Sequence, residues 1–70
     1  MAIAFGQQPK FEVEAWFDGG GEVNQFYKTL PEAKTAAIKL KQEGARYVKI
    51  HDFTGKHPNG ITIHGGYKAR

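Results

Sequence analysis

The segment Lys10-Phe11-Glu12-Val13-Glu14-Ala15-Trp16-Phe17 constrains this chain more than any other. Apolar Phe11, Val13, Ala15 and Phe17 alternate with Lys10, Glu12, Glu14 and Trp16. Side chains in a strand point alternately to opposite faces, so a period of two with one charged face predicts a half-buried strand. Such a strand needs at least one paired neighbour and a cover on its apolar face. The remaining residues have to supply all of these.

Asp18-Gly19-Gly20-Gly21 follows, with residues that tolerate positive φ, as a hairpin loop requires. A second strand is expected from Glu22 to Lys28. Its pattern is weaker, and the sequence leaves undecided whether Phe26 or Tyr27 turns to the core. Thr29-Leu30-Pro31-Glu32 has the form of a capping box, in which the Thr hydroxyl takes a free helix N–H and the Glu reaches back to the cap. Pro31 is tolerated in the first turn because its missing N–H has no partner there in any case. Ala33, Ala36, Ala37 and Leu40 then share one helix face, with small side chains that allow close approach to a sheet. Gly44 is the expected stop. Tyr47 to His51 alternates again around Val48 and Ile50. Asp52 to Gly60 reads as a loop containing Pro58-Asn59-Gly60, and Ile61 and Ile63 mark a last strand.

The predicted fold is α+β, with order ββαββ. One helix packs on one face of a four-stranded, mainly antiparallel sheet. A right-handed crossover joins the second strand to the third, and the spatial order is 2-1-3-4, which centres the best-patterned strand. Residues 10–67 form the single domain. Residues 1–9 are an N-terminal arm, in which Ile3 and Phe5 could dock as a short edge strand, and residues 68–70 are a basic tail.

Seventy residues hold one domain with a small core. The chain has no cysteine, so disulfides and Cys-based zinc sites are excluded. No apolar run approaches the ~20 residues of a membrane span, and no signal-peptide pattern is present, so a cytoplasmic protein is expected. The net charge of +3 is a mild basic bias, compatible with nucleic acid or simply with solubility.

The stretch Tyr27, Thr29, Glu32, Ala33, Ala36, Leu40, Gly44, Val48, Ile50, His51, Asp52, Gly55, Lys56 resembles a family of small bacterial and phage ββαββ proteins of unknown function. The resemblance covers under half of the chain. It implies the same fold, and a setting as an accessory or inhibitor protein of a phage or mobile element. It implies no mechanism.

Candidate chemistry is sparse. His51 and His64 could share a metal with Glu12 or Glu14 if the strand register aligned them, but no ligand spacing such as His-x-Glu-x-His supports this, and the sequence assigns no metal or cofactor. His57, near Asp52 and Thr54, sits in ordinary turn chemistry. The triple glycine joins two strands, whereas a phosphate-binding loop joins a strand to a helix. No catalytic residue is assigned.

The helix leaves one sheet face uncovered, and that face is expected to carry Trp16, Tyr47, Lys49, His51, Thr62 and His64. An exposed Trp and Tyr among charges favours a protein partner or self-association by a non-enzymatic module. The alternative is nucleic-acid binding through Lys34, Lys39, Lys41, Arg46, Lys68 and Arg70, with the face aromatics as stacking platforms. Glu12 and Glu14 on the same face oppose it by repelling phosphates.

Overall fold

Phe11, Val13 and Ala15 are buried, while Glu12, Glu14 and Trp16 between them are partly exposed, so the alternation in the sequence is the alternation in space. A computed structural model of the chain describes residues 9–65, and the expectations for residues 1–8 and 66–70 lie outside it. The elements are β1 (Phe11–Trp16), a 3-10 turn (Asp18–Gly20), β2 (Glu22–Tyr27), α1 (Leu30–Gln42), β3 (Tyr47–Asp52) and β4 (Ile61–His64). The sheet runs β2-β1-β3-β4, with every neighbouring pair antiparallel. This is the predicted α+β architecture and strand order.

The capping box forms as expected. The Glu32 amide donates to Thr29 Oγ1 at 3.4 Å, and the Thr29 amide donates to Glu32 Oε1 at 3.3 Å. The helix closes with a Schellman pattern, in which Ala45 N–H donates to the Leu40 carbonyl and Gly44 N–H to that of Lys41. That closure needs the left-handed φ of +106° at Gly44. It also tucks Ala45 into the core beside the last buried turn.

Ala33, Ala37 and Leu40 are the buried helix residues, with Ala36 partly buried at their flank. They meet Val13, Ala15, Val48 and Ile50, all fully buried on the facing strands. α1 packs chiefly over β1 and β3. The choice between Phe26 and Tyr27 is resolved by pairing. Tyr27 stands opposite Phe11 and packs against the core, whereas Phe26 stands opposite Glu12 on the other face.

β4 carries the one irregularity of the ladder, a bulge opposite Val48 and Lys49. Ile61 and Ile63, two residues apart, both pack against the core, and the bulge shifts the parity of His64 beyond them. Gly65, at φ +85°, then passes so close to the Arg46 carbonyl and the Tyr47 backbone that a Cβ would collide with main chain.

Ile50→Ala should cost about 2–5 kcal/mol in urea unfolding, since it empties a fully buried site. Thr29→Ala should cost about 1 kcal/mol through loss of the cap.

Candidate functional site

No described helix or strand packs on the sheet face opposite α1. The register sets its residues in rows across the strands. Glu22, Trp16 and Tyr47 form one row. Asn24, Glu14, Lys49 and Thr62 form the next, followed by Phe26, Glu12 and His51. Phe53, one step past β3, extends the ladder, its amide donating to the Lys10 carbonyl at 2.9 Å. Five of the six expected interface residues therefore share this face, namely Trp16, Tyr47, Lys49, His51 and Thr62.

Two expectations need correction. Tyr47 is not an exposed aromatic, because only 8% of it reaches solvent. It lies opposite Trp16 with the backbone of Gly65 closing over its Cα. Burial and the nearby Glu14 carboxylate both raise its phenol pKa above the usual value. His64 does not join His51. The bulge sets His64 opposite Val48, while the register that pairs Ile50 with Ile61 brings Gly60 opposite His51. Val48 is three residues from His51 on β3, so at ~3.3 Å per residue the two imidazole-bearing positions are about 10 Å apart along the sheet. Among the described residues, no three His, Asp or Glu side chains are grouped as a metal site.

Glu14 organises the middle of the face. Its side chain is only 12% exposed. Trp16 Nε1–H donates to its Oε2 at 2.6 Å, and His51 Nε2 lies 2.8 Å from its Oε1. An ionised carboxylate can only accept, so the proton in the second contact sits on His51 Nε2. Glu12 in turn accepts from Asn24 Nδ2 at 3.0 Å. The two acids expected to repel a partner are thus largely engaged within the face.

A second histidine–carboxylate pair shapes the β3–β4 loop. Asp52 accepts from the Thr54 amide, the Thr54 hydroxyl and His57 Nδ1, at 2.7, 2.5 and 2.7 Å. The carboxylate is 1% exposed, on a residue paired with Phe11 of β1. The Thr54 hydroxyl bond, then the His57 bond and the Thr54 amide, outweigh desolvation and hold its pKa at about 2. A hydrolytic triad would place a hydroxyl on the far nitrogen of the histidine. Here Thr54 Oγ1 donates to the aspartate instead, which is the bonding of a rigid turn.

The basic residues of the nucleic-acid alternative are dispersed. At 100° per residue Lys34 and Lys41 fall on one flank of α1 and Lys39 on the other, where it lines a groove with Tyr27 and Glu43. Arg46 sits at the β1–β2 turn and pairs with Asp18 at 2.7 Å. Lys68 and Arg70 lie outside the described residues.

Sequence reasoning missed Phe26 and Phe53, which are 54% and 59% exposed. The spacing of Phe53 from His51 matched the face parity and was the available signal. Phe26 required the pairing with β1. No family model matches the chain, and neither a curated protein nor a solved structure does.

Asp52 offers a test of the loop. Its lowered pKa contributes stability above the ordinary carboxylate value of 3.8, and that contribution is lost as pH falls towards 2. Asp52→Asn should therefore melt below the parent at neutral pH, and thermal scans at decreasing pH should show the gap closing by about pH 2.

Proposed function

We propose that this domain is a non-enzymatic binding module that engages a protein partner through the helix-free sheet face. The observation that carries the reading is the exposure of Phe26 and Phe53 on that face, Phe26 at the β2 end of the Glu12–His51 row and Phe53 one row beyond it. Exposed large aromatics framed by polar groups are the composition that protein interfaces favour. The polar groups between them already have hydrogen-bond partners in Glu14–His51 and Glu12–Asn24, so covering them strands little unpaired charge. The sheet beneath is rigid and the side chains are held in register by it.

Nucleic acid is the rival occupant. The scattered lysines and the acidic rows of the face argue against a continuous phosphate track. The sequence resemblance supports a setting as an accessory or inhibitor protein of a phage or mobile element, acting in the cytoplasm. No described helix is long and apolar enough to cross a membrane.

The test compares captured proteins. Phe53→Ser and Thr62→Arg, both on the face and away from β2, should abolish capture of a partner that the parent chain retains. Ile38→Ser, on the exposed back of α1, should leave capture intact. Equal capture by all three variants would sink the reading. Binding of single- or double-stranded DNA or RNA that weakens steeply with salt and is lost in Lys34→Glu/Lys41→Glu would replace it with the rival.

A further inference from the structure

Apart from its helix-free face, the sheet presents an edge at β2. We propose that a second copy of this chain pairs with β2, edge to edge and antiparallel, joining the two sheets into one of eight strands.

The backbone groups of β2 point alternately to its two sides. The Phe17 amide donates to the Gly21 carbonyl, and the Lys10 amide to that of Tyr27. Odd-numbered residues of β2 therefore turn their N–H and C=O towards β1, and Glu22, Asn24, Phe26 and, just beyond the strand, Lys28 turn theirs outward. No described strand lies on that side. Natural edges are blunted by bulges, proline, brevity or central charges. β4, the other edge, is four residues long and carries the bulge. β2 is six residues long, regular, free of proline, and uncharged from Val23 to Tyr27. It is the edge built to be paired.

The sequence of β2 also selects a register. In an antiparallel pair, opposed residues share a face, so the two-fold axis of a symmetric dimer must pass through a residue. An axis through Gln25 sets Glu22 against Lys28 of the second copy, Asn24 against Phe26, and Val23 against Tyr27. All the outward-facing residues then pair, and the only charges on the edge meet opposite charges. An axis through Asn24 would set Glu22 against Phe26 and Val23 against Gln25. An axis through Phe26 would leave Glu22 beyond the pairing. The Gln25 axis alone sets acid against base, with Val23 against Tyr27 on the other face.

Two further features fit this arrangement. Phe26, exposed on the helix-free face, would lie over the seam beside its symmetry mate. α1 stands over β1 and β3, so at a strand spacing of about 4.8 Å the two helices would lie about 19 Å apart, well beyond contact distance. Between them the groove of each copy, about 440 Å³ and lined by Tyr27, Pro31, Thr35, Ala36 and Lys39, would become one wall of a shared trough.

Sedimentation of the full chain over a concentration series tests the proposal, with circular dichroism to confirm folding. A reversible dimer is expected. Glu22→Lys should weaken it about tenfold or more, since it sets like charges against each other twice by symmetry. Glu22→Lys/Lys28→Glu should restore it. Asn24→Pro, which removes an outward-facing N–H together with the exposed side-chain bond to Glu12, should give a folded monomer. A monomer at every concentration would overturn the proposal. So would a dimer indifferent to Glu22→Lys, one that the double exchange fails to restore, or one lost on Phe53→Ser. That last result would move self-association to the face, whereas loss of partner capture with the dimer intact bears on the face alone.

Discussion

The close seating of a small-residue helix on β1 and β3 is the contact on which the rest of the molecule depends. Ala33 and Ala37 have no side chain beyond Cβ, so the helix backbone can approach Val13, Ala15, Val48 and Ile50 and exclude water from all four. In a chain of this size there is little other apolar surface to bury. The capping box, the Schellman closure and Ala45 each lock one end of that contact. The approach also limits the helix to one face, because a single helix of 13 residues cannot cover both.

The face left over is a hydrogen-bonded surface rather than a simple spill of polar residues. Glu14 holds Trp16 and His51, Glu12 holds Asn24, and Asp52 holds the next loop through Thr54 and His57. Each carboxylate fixes side chains that solvent would otherwise leave free to rotate. Side chains held in this way have less entropy to lose if the face is covered. The edge adds a different kind of recognition, in which main chain supplies the hydrogen bonds and side-chain order supplies the register.

The fold was legible because its signals are local and mutually consistent. Alternation from Phe11 to Phe17, the Thr29–Glu32 cap and the spacing of Ala33, Ala37 and Leu40 each depend on residues a few positions apart. The site was only partly legible. Trp16, Lys49, His51 and Thr62 were found because parity alone sends them to the uncovered face. His64 was misplaced because a bulge breaks parity, and no residue type near Ile63 announces one. The burial of Tyr47 is not legible in the sequence, because parity says which face a side chain joins and not how deeply its neighbours enclose it.

The sequence by itself determined the elements, their order and the face that the helix covers, since periodicity and capping are properties of neighbouring residues. Only the tertiary structure decided which distant side chains meet. The Glu14–His51 contact spans β1 and β3, and the exposure of Phe26 follows from its pairing with Glu12. Both depend on strand register, which is set when the apolar faces of separate segments close on a common core.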